Sequence, residues 1–305
     1  MKWAGVISAI TTPFDEYGRV DHGFLARHAR WQIEHGCNGI VALGSLGEAA
    51  TLAFEEKAAI LKTVVDALDG VPVVAGIAAL STDEAVTLAR AAQQAGCSGL
   101  MVLPPYVYST DWREMKAHVS TVIRATPLTC MLYNNPIAYK TDFLPSQIAE
   151  LAHELDNLNA VKESGGDVRR ITAVRALCQE RLALFAGLDD MIVEAARVGA
   201  VGWIAGLVNA LPAETVALFR HATQGNTREA DAIYRWFLPL LRMDTVPKFV
   251  QLIKLVQQEL GMGSERVRAP RLTLEGAERE GALRTIRAAM TGRDSIRALL
   301  ASHAP

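Results

Sequence analysis

A repeated pattern of glycines and apolar residues limits the folds open to this chain. In each copy a glycine closes a helix-like segment, a second glycine follows three residues later, and a continuous apolar run comes next. The copies begin at Gly36, Gly96 and Gly199. Glycine suits a helix end because the chain there often needs a left-handed residue. Apolar runs without alternation are typical of parallel strands covered by helices on both faces.

The remaining chain continues the alternation of strand and helix. Further apolar runs predict strands at Gly5–Ile10, Val71–Ala75, Leu128–Leu132, Leu158–Val161 and Leu182–Ala186. Eight strand–helix units favour a closed α/β fold, the (β/α)8 TIM barrel, over an open doubly wound sheet. No GxGxxG follows the first strand, so a dinucleotide-binding fold lacks its main support.

The end of the chain has a different pattern. Residues 225–305 show helical periodicity and no alternating strand pattern. With 305 residues, the chain suits one large barrel plus a small appendage. We therefore predict a barrel over residues 1–224 and a C-terminal helical extension over residues 225–305, packed on the barrel.

Composition excludes several classes of function. A net charge of -2 gives no reason to expect nucleic acid or a membrane surface as a partner. No apolar run reaches membrane-spanning length, and the N-terminus lacks the features of a signal peptide. The four cysteines form no CxxC, which favours reduced thiols and a cytoplasmic location. The histidines form no HxH or HExxH, so we expect no metal site.

Two apolar runs end in residues that chemistry can use. Tyr133 follows the run Leu128–Leu132, and Lys162 follows the run Leu158–Val161. The helix-like segment between them makes the two strands parallel neighbours, so their carboxyl ends face the same way. A lysine that loses hydration among apolar neighbours becomes a free amine more easily, and a free amine attacks ketones to form an imine. The alternative is a strand-end lysine that merely extends its amine to solvent.

Three short motifs, in this order and spacing, carry a resemblance. They are GSLGE at Gly44–Glu48, YNNP at Tyr133–Pro136 and VKES at Val161–Ser164. Together they resemble the dihydrodipicolinate synthase / N-acetylneuraminate lyase family of Schiff-base lyases. The resemblance runs from Gly5–Phe14 to Glu265–Leu274. It implies the barrel with its helical extension and an imine on Lys162 with no separate cofactor. It also implies a 2-oxo acid substrate and a homotetramer built as a dimer of dimers.

The resemblance also implies roles for other residues. Tyr133 would donate a proton to the leaving hydroxyl, and Ser45 would supply a hydroxyl to the proton relay. Leu46 stands where the family commonly has a second hydroxyl residue. The glycine-rich loop would hold the substrate's carboxylate with backbone N–H groups, although a tight turn alone also explains it. The loop's predicted substrate-binding residues are Gly44, Ser45, Leu46 and Gly47.

The end of the eighth strand would shape the pocket wall beside the imine. Ile204 is the predicted substrate-binding residue there, and Trp203 makes the wall bulky if it faces inward. Asp189 and Asp190 follow the seventh strand, where they either line the mouth or cap the next helix.

The chain departs from the biosynthetic synthases of the family at two places. Those enzymes carry a second tyrosine after a PPY run, where this chain has Val107, with Tyr108 one residue further on. They also carry an arginine five residues after the catalytic tyrosine, where this chain has Ala138 at the substrate-binding position. Lys140, two residues further on, is a candidate to supply a cation in its place, although an exposed lysine is the default interpretation.

These observations predict a class I lyase acting on pyruvate or a substituted 2-oxo acid. The reaction is an aldol cleavage or condensation, a dehydration or a deamination. One alternative is a true 4-hydroxy-tetrahydrodipicolinate synthase, and another is a non-catalytic barrel that binds a 2-oxo acid. A phosphate-binding barrel enzyme has less support, because Gly206–Asn209 makes a poor phosphate loop.

Overall fold

The computed structural model describes residues 1–105 and 111–301. The prediction that Val107 and Tyr108 replace the family's second tyrosine lies outside the described residues.

Eight parallel strands close into a barrel in chain order, and β1 pairs with both β2 and β8. The predicted (β/α)8 barrel is confirmed. The strands are β1 (Gly5–Ala9), β2 (Gly39–Ala42), β3 (Val73–Ile77), β4 (Gly99–Val102), β5 (Thr129–Asn134), β6 (Leu158–Glu163), β7 (Ala183–Ala186) and β8 (Gly202–Ala205).

Helices surround the barrel and continue beyond its last strand. Those that follow strands are α1 (His22–Glu34), α2 (Phe54–Ala67), α3 (Thr82–Gln94), α4 (Trp112–Arg124), α5 (Pro136–Tyr139), α6 (Pro145–Glu154), α7 (Arg169–Cys178), α8 (Ile192–Arg197) and α9 (Pro212–Thr223). The C-terminal segment adds α10 (Thr227–Leu241), α11 (Phe249–Glu259), α12 (Gly276–Gly292) and α13 (Arg297–Ala301).

The continuous apolar strands explain why the sheet is covered on both faces. All residues of β2, β3, β4 and β8 are buried, as expected for strands between a packed barrel interior and a helix layer. Local signals set the helix ends as well. Asp21 caps α1 by accepting a hydrogen bond from the N–H of Phe24, as its position before the helix predicts.

The third strand lies two residues further along than Val71–Ala75, where the sequence predicts it. It begins at Val73, because Pro72 has no N–H to donate and contributes only its carbonyl, to the N–H of Ile40. It also continues through Gly76 to Ile77, two residues beyond its predicted end at Ala75. A Cβ at Gly76 would lie 2.5 Å from the carbonyl oxygen of Leu43, so the absent side chain permits this close approach of β2 and β3.

The C-terminal segment is tied to the loop after β2 by a buried ion pair. Lys254 Nζ lies 2.5 Å from Glu48 Oε1 and donates to the carbonyl of Arg266 at 2.7 Å. The N–H of Arg268 donates to the other oxygen of Glu48 at 3.0 Å. Both side chains of the pair are almost fully buried. The C-terminal helices therefore help to hold the loop that contains Gly44–Glu48, and a domain boundary at residue 224 stays a prediction.

Candidate active site

Lys162 and Tyr133 lie opposite each other on neighbouring strands. They are register partners in the β5–β6 pair, and Lys162 Nζ lies 4.2 Å from the centroid of the Tyr133 ring. The sequence places both residues just after their strands, but the structure includes them within β5 and β6. The strands extend because their ladder continues to the pair of Asn134 and Glu163. The amine and the phenol thus share one end of the barrel.

Burial changes the protonation of the lysine. The pKa of Lys162 falls from its ordinary 10.5 to about 8, mainly because burial removes hydration from the cation. Negative charge on Asp244 or on Asp189 acts against this fall. A substantial share of the amine is therefore neutral near pH 8, and the neutral amine is the form that attacks a carbonyl.

Burial acts on the tyrosine in the opposite direction. The pKa of Tyr133 rises to about 12 because desolvation disfavours the phenolate, with Asn135, Ser164 and Ser45 partly opposing. The side-chain amide of Asn135 donates to the phenol oxygen at 2.9 Å. Since that bond uses a lone pair of the oxygen, the phenol's own proton stays available for a bound molecule.

The loop after β2 brings Ser45 to the same site. The hydroxyl of Ser45 is hydrogen-bonded to the phenol of Tyr139, whose ring packs edge-on against the ring of Tyr133. The N–H groups of Ser45 and Leu46 donate to no acceptor among the described residues. Free N–H groups in a tight loop make a favourable site for a carboxylate.

A cavity of about 410 Å³ opens above the carboxyl ends of the strands. Lys162 and Tyr133 line it, as do several residues that the sequence predicts for substrate binding, namely Gly44, Ser45, Leu46, Ala138 and Ile204. Gly47 is outside the lining. Its carbonyl accepts from the hydroxyl of Thr12 at 2.7 Å, and a Cβ there would lie 3.1 Å from the carbonyl oxygen of Ile10. Its position indicates packing against the end of β1.

Several other candidates lie away from the cavity. The amine of Lys140 is exposed and donates to the carbonyl of Ile137 at 2.9 Å. The buried carboxylate of Asp189 accepts from Trp203 Nε1 at 2.8 Å and from the N–H groups of Gly206 and Leu207 at 3.0 and 3.1 Å. Trp203 thus does not form the cavity wall, which Ile204 lines instead. Asp189 neither lines the mouth nor caps a helix, because it ties the ends of β7 and β8 together.

The structure adds three functional candidates that the sequence does not single out. Tyr139 comes from the short helix α5, where the sequence indicates only a turn. Asp244 and Arg271 come from the C-terminal segment and line the cavity with Lys162. Asp244 has no motif around it. Arg271 lies within Glu265–Leu274, where the resemblance ends but gives no residue a role. Among the described residues that line the cavity, Arg271 and Lys162 are the cations.

Residues 1–105 and 111–301 lack two other kinds of feature. They contain no group of three His, Cys, Asp or Glu side chains placed to hold a metal ion. None of their helices is both long and apolar enough to cross a membrane.

The fold and the site together define a class of protein, a (β/α)8 barrel with a buried lysine and tyrosine at the mouth of its cavity. The model of the dihydrodipicolinate synthetase family matches residues 2–289. The chain belongs to this family, and it is a lyase of the family's type.

Named relatives cover nearly the whole chain. It is 35% identical over 287 residues to a 4-hydroxy-tetrahydrodipicolinate synthase of Halorhodospira halophila, covering 92% of this chain and 95% of the relative. It is 30% identical over 278 residues to the enzyme of the same name from Endomicrobium trichonymphae, covering 91% and 95%.

Solved structures agree with this assignment. The 4-hydroxy-tetrahydrodipicolinate synthase of Methylacidiphilum fumariolicum superposes with a TM-score of 0.94 at 26% identity, covering 98% of this chain and 99% of the other. YagE, a family member from E. coli K12 solved in complex with pyruvate, superposes with a TM-score of 0.89 at 25% identity, covering 95% and 99%.

Proposed function

We propose that this chain is a Schiff-base lyase that acts on pyruvate or a short hydroxylated 2-oxo acid through an imine on Lys162. The observation that carries the proposal is the buried amine of Lys162, which faces the ring of Tyr133 inside a cavity. A barrel that only binds a 2-oxo acid has no need of an amine whose pKa is lowered to about 8.

The chemistry begins with attack of the neutral Lys162 amine on the C2 carbonyl carbon. A C–N bond forms, and the carbonyl oxygen becomes a hydroxyl that needs a further proton to leave as water. We assign this proton to the phenol of Tyr133, because burial keeps the phenol protonated at neutral pH and the bond from Asn135 occupies its oxygen rather than its proton. The product is an imine, which accepts electrons when a bond at C3 breaks.

The substrate's carboxylate fits the loop after β2. The N–H groups of Ser45 and Leu46 have no other acceptor among the described residues, and the paired hydroxyls of Ser45 and Tyr139 lie beside them. An anion held here orients C2 of the substrate towards the amine. The apolar side chain of Leu46 borders the same space, which suits a small substrate.

The proposal is tested by hydrogen exchange at C3 of pyruvate in deuterium oxide, followed by NMR. Exchange requires an imine that converts to an enamine and back. We expect the protein to catalyse it, Lys162→Met to abolish it, and Lys140→Met, an exposed lysine outside the cavity lining, to leave it unchanged. Equal exchange by the protein and by Lys162→Met would contradict the proposal.

A second candidate function is 4-hydroxy-tetrahydrodipicolinate synthesis from pyruvate and aspartate semialdehyde. Arg271 favours it. The biosynthetic synthases have an arginine where this chain has Ala138, and the cavity-lining cation of Arg271 is able to replace it. The guanidinium lies 3.8 Å from Glu48 Oε2 and is about a quarter exposed, so it is free to bind a second anion. The names of the relatives support this candidate too.

The two candidates differ in what they expect from Arg271. If the synthase reaction is the main one, kcat/KM for pyruvate with aspartate semialdehyde exceeds that for every 4-hydroxy-2-oxo acid tried. Arg271→Gln then lowers it by about 10- to 100-fold, the usual loss for a hydrogen bond to a charged group. We expect instead that hydroxylated 2-oxo acids are better substrates.

A further inference from the structure

Asp244 places a carboxyl group in the cavity from outside the barrel. It belongs to the turn Arg242–Thr245 between α10 and α11, and it lines the cavity together with Lys162. Its charge interacts with that of Lys162. The proposed function above does not use Asp244.

The end of β8 is shaped to admit this carboxyl group. A Cβ at Gly206 would lie 2.4 Å from Asp244 Oδ1, so any side chain at that position would displace the carboxyl. The N–H of Gly206 is fixed by its bond to Asp189. On the adjacent strand end, a Cβ at Gly187 would lie 2.7 Å from Lys162 Cε. Two glycines therefore leave room for the amine and the carboxyl on the same side of the cavity.

The carboxyl of Asp244 receives no hydrogen bond from the described residues. Asp189, its buried neighbour, receives bonds from Trp203, Gly206 and Leu207 and is thereby held as part of the frame. A carboxylate in an enclosed site without donors is costly, so burial favours the protonated form of the group. Burial and the nearby charge of Asp189 accordingly raise the pKa of Asp244 well above its ordinary 3.8, while Lys162 opposes the rise.

We infer that Asp244 is a catalytic acid that protonates a hydroxyl or amine as it leaves C4 of a 2-oxo acid bound to Lys162. This inference rests on the proposed imine and adds the class of reaction, a β-elimination of water or ammonia. Retro-aldol cleavage needs a base at the C4 hydroxyl, whereas a protonated carboxyl serves the departure of that hydroxyl.

The step balances in atoms and electrons. The iminium on Lys162 loses a proton from C3 and becomes a neutral enamine. The acceptor is the phenolate that Tyr133 becomes when its proton departs with the water of imine formation. The enamine electrons form the C3–C4 double bond while the C4–O or C4–N bond breaks, and its electron pair leaves with the heteroatom. The proton of Asp244 joins that heteroatom, so water or ammonia departs. Hydrolysis of the conjugated iminium releases an unsaturated 2-oxo acid, the neutral amine of Lys162 and a proton, and this proton restores the carboxyl of Asp244.

The test compares two leaving groups, one that needs an acid and one that does not. The substrates are 4-hydroxy-2-oxobutanoate and 4-fluoro-2-oxobutanoate, since fluoride leaves without a proton. We expect Asp244→Asn to lower elimination of water by about 10²–10⁴-fold, the usual range for a positioned acid. The rate of fluoride release by Asp244→Asn should stay within about threefold of the rate of the unmodified protein, because the departure of fluoride needs no acid. The control is Asp69→Asn, an exposed carboxylate outside the cavity lining, which should change neither rate.

Trapping of pyruvate with borohydride on each variant separates the two claims. If the unmodified protein takes no label, the proposed imine is wrong, and the role of Asp244 falls with it. If the protein is labelled but Asp244→Asn eliminates water at the normal rate, the inference alone is overturned. If Asp244→Asn slows the elimination of water and of fluoride equally, the inference is also overturned, because Asp244 would then only maintain the shape of the cavity.

Discussion

Single side chains in the cavity depend on burial for their protonation. Desolvation pushes the pKa of Lys162 down to about 8 and that of Tyr133 up to about 12, so the lysine is poised to lose its proton while the tyrosine keeps one. The opposite directions follow from one cause, since burial disfavours the cation of the first and the anion of the second. An amine that attacks and a phenol that donates are what imine formation needs.

Tyr133→Phe should keep the fold and lose turnover. The ring still packs in the cavity, and only the hydroxyl that carries the proton is removed. We expect kcat on the best 2-oxo acid substrate to fall by about 10²–10⁴-fold with little change in the melting temperature. Tyr17→Phe, at an exposed tyrosine, is the control. Near-normal turnover would mean that Tyr133 is structural.

Imine formation should depend on pH through Lys162. Because its pKa is lowered to about 8, the neutral amine is reached at a lower pH than for an ordinary lysine. The rate of reductive labelling by pyruvate with cyanoborohydride should rise about tenfold per unit below pH 8 and level off above it. A midpoint near the ordinary 10.5 would show that burial does not desolvate the amine in solution.

The sequence indicates Lys162 and Tyr133 because each continues an apolar strand within a short motif. Asp244 gives no such signal, and Arg271 lies in Glu265–Leu274, a segment for which the resemblance implies no role. Their place in the cavity depends on how the C-terminal helices dock on the barrel, which local periodicity does not encode. Tyr139 was missed for a smaller reason, since α5 has only four residues and its short pattern indicates no more than a turn.

At the scale of elements, the loop after β2 and helix α11 act as one unit. Glu48 has a left-handed backbone and a fully buried carboxylate, and Lys254 and the N–H of Arg268 satisfy it. Glu48 ends the loop that begins with Gly44 and Ser45. Docking of α11 therefore fixes the loop that we propose for the substrate's carboxylate.

Lys254→Met should be strongly destabilising. It leaves the carboxylate of Glu48 buried without its main partner, which typically costs about 3–5 kcal/mol of unfolding free energy. The exposed pair of Lys248 and Glu278 provides the control, because Lys248→Met should cost no more than about 1 kcal/mol. Denaturant unfolding of both variants measures the difference. Similar small losses would show that the buried pair contributes no more than a surface pair.

Element positions follow from the sequence to different extents. The repeat with its two glycines predicts β2, β4 and β8 closely, since each strand starts at the second glycine. The position of β3 is two residues off because Pro72 delays the ladder and Gly76 does not break it. The start and end of β3 depend on its contact with β2, and no residue pattern within β3 indicates that contact.

For the whole molecule, the family resemblance predicts a homotetramer built as a pair of dimers. Val107, which stands in place of the family's second tyrosine, lies outside the described part of the chain. Analytical sedimentation at micromolar concentration should give the mass of four chains. A monomer under those conditions would contradict the prediction.

The central claim is that the amine of Lys162 forms the covalent bond to substrate. The most direct measurement is reduction of the protein with borohydride in the presence of pyruvate, followed by mass spectrometry of its peptides. We predict one reduced pyruvyl group, located on Lys162, and none on Lys254, the other buried lysine, which is held in an ion pair. A label on another lysine, or no label with any 2-oxo acid tried, would contradict the account.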